Sequence, residues 1–185
     1  MSLVEILAII ASLAGVSLSI VKKSAAWICN IFASGLYGFV FWQNGLYSDM
    51  ELQGFFILMA IYGCWTWSRS EQDWKPERAT FRQLTGGLAV AMLFGMGSGY
   101  VHQRYFPSVS FPFLDASLTG LSIYGTWLAT QRKIENWIVW IVVDIAYVGM
   151  YASKELWGTA ALYLVFIILA LKGYLDWLKP LKNRA

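Results

Sequence analysis

Seven long apolar stretches, separated by short polar segments, organise this chain: approximately residues 3–21, 25–43, 48–68, 83–101, 113–130, 135–153 and 156–177. Each is close to the ~20 residues that an α-helix needs to cross ~30 Å of hydrocarbon. The pattern predicts an all-α membrane protein with seven transmembrane helices. The longest interruptions are Ser68 to Arg82, with Pro76, and His102 to Pro112, with Pro107 and Pro112. Neither has room for a water-soluble domain. The first stretch carries Glu5 and is not preceded by a basic segment, unlike a cleaved signal peptide, so it is expected to be retained as the first helix.

A second periodicity overlies the first. Residues 22–67 are echoed at 132–177 with a constant offset of 110 and no gap. Trp27 answers Trp137 and Trp67 answers Trp177; Gly15 pairs with Gly125, Tyr37 with Tyr147, Leu46 with Leu156 and Gly63 with Gly173. Matches at Trp and Gly carry the argument, because apolar sequences agree at Leu and Ile by composition alone. Helices 1–3 thus form one copy and helices 5–7 the other, with a single crossing between them. Three helices reverse the direction of the chain and the fourth restores it, so both copies enter the membrane from the same side. The expected architecture is a 3+1+3 parallel repeat, SWEET-like, with a first bundle at 1–68, linker loops and helix 4 at 69–112, and a second bundle with its tail at 113–185. Such duplication points to a transporter whose substrate lies where the copies meet. Helix 4 holds Gly86, Gly87, Gly95, Gly97 and Gly99, which suit close backbone packing more readily than a hinge.

Composition agrees with the membrane reading. Of 185 residues, 58% are hydrophobic and 14% charged, with a mean hydropathy of +0.53; soluble domains carry roughly 25% charged residues. Eleven Lys and Arg residues (22, 23, 69, 75, 78, 82, 132, 133, 179, 182 and 184) fall on one side and two, Arg104 and Lys154, on the other. This asymmetry predicts an outside N-terminus and a cytoplasmic C-terminus. The net charge of +3 is then a topology signal, and nucleic acid is not an expected partner. Cys29, Cys64 and the lone His102 offer no metal-ligand set, and no metal or cofactor is expected. Lys172 lies about 24 Å along a helix entering from outside, near enough to the cytoplasmic surface to snorkel, which argues against a retinal protein.

The candidate chemistry lies on two related helix faces. Steps of three and four place Trp137, Trp140, Asp144, Tyr147 and Tyr151 on one face of helix 6, and Trp27, Asn30, Ser34, Tyr37 and Phe41 on the matching face of helix 2. Asp144 is the sharpest residue, because a carboxylate near the middle of a transmembrane helix costs roughly 2.5–3.5 kcal/mol and needs a reason. A structural hydrogen bond and a substrate contact are both open to it. An aromatic wall beside an acid suits a flat cation. Gln53 and Trp127 can extend the same surface. Trp42, Trp65, Trp67, Trp157 and Trp177, near helix ends, are expected in interfacial belts.

The string Trp27 to Asn30, then Gly45-Leu46-Tyr47 with Asp49 and Gln53, then Tyr62-Gly63 followed by Trp65 and Trp67, resembles the PnuC family of bacterial vitamin transporters. The second half agrees through Arg132-Lys133, Glu135-Asn136-Trp137, Trp140, Asp144 and Tyr147. The resemblance implies a carrier, not an enzyme, in the bacterial inner membrane. Its substrate would be a nucleoside-like vitamin moving down its gradient by alternating access, with a cytoplasmic kinase trapping the product by phosphorylation. Nicotinamide riboside is the first expectation. Thiamine is the alternative, as is a proton-coupled carrier; riboflavin and deoxynucleosides are substrates of relatives. Cys64 stands where the family pattern has a further Trp, and Gly125-Thr126-Trp127 replaces an Ala-Gln-Trp, removing an amide that could read a ligand and keeping thiamine in contention. The expected substrate contacts are Trp27, Asn30, Ser34, Tyr37, Gln53, Trp127, Trp137, Trp140, Asp144 and Tyr147. Homo-oligomerisation is compatible with this reading.

Overall fold

A computed structural model describes residues 2–43, 47–69, 74–105, 111–153, 155 and 157–182. Gly45, Leu46, Pro107, Lys154, Leu156 and Arg184, on which parts of the sequence reading drew, lie outside the described residues. Seven helices correspond to the seven apolar stretches: α1 (Leu3–Ile20), α2 (Ala25–Gln43), α3 (Tyr47–Ser68), α4 (Phe81–Tyr105), α5 (Pro112–Thr130), α6 (Glu135–Ser153) and α7 (Trp157–Lys182). Five of them, all but α3 and α5, are long and apolar enough to cross a membrane by length and composition. The other two carry more polar side chains, such as Gln53 in α3 and Asp115, Ser117, Ser122 and Thr126 in α5.

The repeat survives in three dimensions down to single residues. Positions 26–39 of α2 and 136–149 of α6 show the same order of buried, half-buried and exposed side chains. The turns preceding these helices match as well. Lys22 and Arg132 both adopt left-handed φ (60° and 58°). Around them the amides of Lys23 and Lys133 donate to the carbonyls of Leu18 and Leu128, and those of Lys22 and Arg132 to Ser19 and Ala129. These are the paired 6→1 and 5→2 bonds of a Schellman cap, which satisfy carbonyls orphaned at the ends of α1 and α5.

Where the copies differ, helix 4 is the cause. The chain divides into two compact units: Met1–Pro76 with Ala129–Arg132 and Lys172–Ala185, and Glu77–Leu128 with Lys133–Leu171. In the first, α1 packs on α2 and α2 on α3. In the second, α4 lies so close to α5 that a Cβ on Gly87 would come within 2.1 Å of the Tyr124 ring. One on Gly95 would come within 2.8 Å of the Ser117 backbone, and one on Gly120 within 2.5 Å of the Ala91 carbonyl. The small residues of α4 therefore make a packing face, as helix–helix contact in lipid favours. In consequence Ala116, Leu118, Ser122, Tyr124, Thr126 and Leu128 of α5 are buried, whereas α1 buries Ala8, Gly15 and Ile20. The segment leading into α4 is strapped to the start of α6: Ile134 N–H donates to the Glu77 carbonyl (2.9 Å), Ala79 N–H to Glu135 Oε2 (2.8 Å), and Lys133 Nζ pairs with Glu77 Oε2 (2.6 Å).

Candidate functional site

The two stripes form, each within its own unit. On α6, Trp137 and Asp144 are buried and Trp140 and Tyr147 half-buried; on α2, Trp27 and Ser34 are buried and Asn30 and Tyr37 half-buried. The i, i+3, i+4 spacing produces this alternation, since one helical face turns inward while Ile28, Phe32, Ile138, Val142 and Ile145 of the opposite faces remain exposed.

Asp144 is 4% exposed. Among the described residues nothing donates a hydrogen bond to its carboxylate and no cation lies within ion-pair distance. Buried acids ordinarily have such partners, because an unpaired charge or polar group away from water costs free energy. Among the described residues no hydrogen bond accounts for the acid.

Beneath two of the stripe positions the repeat supplies a glycine. A Cβ on Gly15 of α1 would stand 2.1 Å from the Asn30 side-chain oxygen, and one on Gly125 of α5 would stand 3.4 Å from Trp140 Nε1 and 3.1 Å from Val139 Cγ1. Asn30 and Trp140 are themselves offset partners, as are the two glycines. The scaffold thus keeps the same recess in both copies and fills it once with an amide and once with an indole. These glycines were visible in the sequence as a repeat match, but their place under the candidate ligands was not.

Trp27 is held by packing. Its ring lies against Gly63, where a Cβ would approach to 2.5 Å, and meets Trp67 edge-on at 5.2 Å between centroids. Its indole N–H has no hydrogen-bond partner among the described residues. Tyr37 stacks on Phe41 (6.1 Å), and their counterparts Tyr147 and Tyr151 stack in the same way (5.9 Å). Gln53 packs on α2 at Gly38, 3.5 Å from where a Cβ would lie. Its offset partner Tyr163 instead enters the tyrosine stack, 4.9 Å from Tyr147 and 5.3 Å from Tyr151. Tyr163 was missed in the sequence reading, although pairing with Gln53 could have flagged it. Trp127 stacks on Tyr124 (6.3 Å), whose hydroxyl donates to the carbonyls of Gln83 and Leu84 at 3.3 and 3.4 Å. Trp27, Asn30, Ser34, Tyr37 and Gln53 thus belong to the first unit, and Trp127, Trp137, Trp140, Asp144 and Tyr147 to the second.

One expectation fails. Trp42, Trp65 and Trp157 are exposed, as belt residues should be, but Trp67 and Trp177 are only 3% and 1% exposed. Each donates its indole N–H to a helix-end carbonyl: Trp67 to Ala129 (3.2 Å), Trp177 to Ser19 and Ile20 (3.3 and 3.1 Å). They are core residues, with a polar handle that finds a partner when buried. Lys172 is exposed and pairs with Asp176 one turn along (2.6 Å).

Comparison with known proteins bears on what this arrangement is for. A family model described as nicotinamide mononucleotide transporter matches residues 2–179. A nicotinamide riboside transporter PnuC from Escherichia coli K12 is 25% identical over 213 residues, covering all of this chain and 88% of that one. A riboflavin/roseoflavin transporter, RibM, from Streptomyces davaonensis is 23% identical, covering 88% of this chain and 79% of that one. Among solved structures, a crystal structure of the vitamin B3 transporter PnuC superposes with a TM-score of 0.78 at 20% identity, over 98% of this chain and 83% of that one. That similarity shows the fold.

Proposed function

We propose that this chain, which belongs to the nicotinamide mononucleotide transporter family, the PnuC family, carries a nucleoside-like vitamin across the bacterial inner membrane, with nicotinamide riboside as its first candidate. Transport is facilitated diffusion with alternating access. The observation that carries the reading is the buried Asp144 carboxylate, which bonds to no described residue, one turn along α6 from the half-buried Trp140. A cationic aromatic ring supplies what both lack. Its charge offsets the carboxylate, and its flat face stacks on the indole, a contact worth about 0.5–2 kcal/mol where water is excluded. In the first unit Asn30, Ser34 and Gln53 offer hydrogen-bonding groups of the kind a ribose needs, beside the Tyr37 ring; in the second, Tyr147 and Trp127 add aromatic faces. Trp27 and Trp137, both buried, brace the stripes from one end.

Differences between the copies support an asymmetric ligand. Asn30 against Trp140 and Ser34 against Asp144 break an otherwise matching pattern at the positions best placed to distinguish ring from sugar. The basic residues near the ends of α1, α3, α5 and α7 support an outside N-terminus and a cytoplasmic C-terminus. On that side a vitamin kinase would trap the product. Thiamine, also a cationic ring, is the second reading, favoured by Gly125-Thr126-Trp127, which offers no amide beside the indole. A proton-coupled carrier is the third.

A binding titration of the purified protein with nicotinamide riboside, thiamine and riboflavin tests the assignment. Nicotinamide riboside should bind at least tenfold more tightly than the other two. Preference for thiamine would transfer the assignment to the second reading, and failure of all three to bind would remove the site.

A further inference from the structure

The buried tryptophans Trp67 and Trp177 form an arrangement that the proposed substrate site does not use. Trp67 lies at the end of α3, in the first copy, yet its indole bonds to residue 129, at the end of α5 in the second copy. Trp177 lies at the end of α7, in the second copy, yet bonds to residues 19 and 20, at the end of α1 in the first. Residues 19 and 129 are offset partners. The contact is therefore reciprocal, with each copy's third helix holding the last turn of the other copy's first helix.

All of these groups lie inside one compact unit, the one in which Ala129–Arg132 and Lys172–Ala185 join Met1–Pro76. The two indoles lie 6.0 Å apart, and Trp74, from the loop after α3, packs edge-on against both, at 4.6 Å from Trp67 and 5.3 Å from Trp177. Two of the carbonyls they engage, those of Ser19 and Ala129, already accept the capping bonds of Lys22 and Arg132, so there the indoles use remaining lone pairs.

The two arms are unequal. On the α3–α5 arm Thr66 Oγ1 also donates to the Thr130 carbonyl (3.3 Å) and Arg132 Nη2 to the Thr66 carbonyl (3.4 Å). Gln131 Nε2 donates to the Tyr62 hydroxyl (3.2 Å), and the Arg132 guanidinium lies over the Trp74 ring at 5.4 Å. On the α7–α1 arm the corresponding Asp176 is turned to its own helix, pairing with Lys172 and Lys179.

We propose that Trp67, Trp177 and Trp74 form a latch that closes the basic end of the carrier in this state, and that it must part for substrate to leave there. This rests on the alternating-access reading above. Two copies that rock about a site must exchange contacts at their ends, and these are bonds made from one copy to the other. They are also directional and confined to single helix turns. Hydrogen bonds worth about 0.5–1.5 kcal/mol net each, with three rings between them, can be broken on the μs–ms timescale of such motions.

The test uses the full chain with Cys29→Ser and Cys64→Ser, in liposomes, with nicotinamide riboside as solute. In the first arm, Thr66→Cys with Thr130→Cys is bridged by a short bifunctional methanethiosulfonate. Uptake should fall at least tenfold and return with reductant, while the uncross-linked protein still transports. Transport at the parent rate with the bridge in place would show a permanent joint and overturn the latch. The second arm needs no transport. Thr130→Cys, at a position 1% exposed, should react slowly with a maleimide, and adding Trp67→Phe, which keeps a ring but removes the donor, should speed the reaction at least tenfold. An unchanged labelling rate would overturn the proposal by itself. If the parent protein moves no solute, the transport reading fails, and the labelling arm still decides whether the end is latched.

Discussion

Replacing Asp144 with Asn should lower uptake and substrate binding at least tenfold while leaving the protein as stable as the parent, or more so. The two halves of this expectation come from one observation. Asp144 is buried in the middle of α6 and bonds to no described neighbour, so the folded protein loses no hydrogen bond or ion pair when the carboxylate becomes an amide of the same shape. It is also relieved of a group that costs roughly 2.5–3.5 kcal/mol at that depth. What disappears is the negative charge offered to a ligand. One tenfold step in affinity is 1.4 kcal/mol, well within the range lost when one partner of a close charge pair is removed. Residues kept for function at the expense of stability have this signature. Thermal unfolding in detergent, run beside the binding assay, separates the roles. A fall in melting temperature with binding intact would mean that Asp144 is structural.

A comparable loss, about tenfold in affinity, is expected from Trp140→Leu, and Gly125→Val should reproduce much of it without touching the indole. Leu keeps the apolar bulk of the side chain but removes the π face, so the change isolates stacking and cation-π attraction, about 0.5–2 kcal/mol. Gly125→Val acts from below. The recess under Trp140 already places its Nε1 and Val139 Cγ1 within 3.4 and 3.1 Å of a first added carbon, and a branched side chain must push the indole from its position. If Trp140 only fills space, Leu will bind like the parent. If the recess does not set the indole's position, the valine will be silent. Equilibrium titration of both variants against nicotinamide riboside distinguishes these outcomes, with Gly97→Ala, on an open face of α4, as the control for adding a carbon to a helix glycine.

The seven helices were legible in the sequence almost to the residue, because a span is set by hydrophobic length and its ends by charge and proline. The chief departures are α4 and α7, which continue beyond their apolar stretches to Tyr105 and Lys182; hydrogen bonding carries a helix past the residues that lipid requires. The stripes on α2 and α6 were legible too, since helical periodicity alone puts Asp144 and Trp140 on one face. What periodicity does not reveal is which neighbour a face meets. Trp67 and Trp177 lie near helix ends exactly as belt tryptophans do, and only the crossing of α3 toward the end of α5, and of α7 toward the end of α1, buries them. Their exact match across the repeat was the available signal, as a residue anchored in lipid headgroups is free to drift and one that caps another helix is not. The packing role of Gly15 and Gly125, which periodicity marks only as a repeat match, and the place of Tyr163 are hidden for the same reason: each matters through a partner on a different helix.

The central claim, a passive vitamin carrier, is tested most directly by uptake of labelled nicotinamide riboside into liposomes containing only this protein. The label should enter faster than into empty liposomes, level off at equal concentrations inside and out, and be indifferent to a pH gradient. Accumulation above the outside concentration with no kinase present, or entry no faster than through bare lipid, would contradict the account.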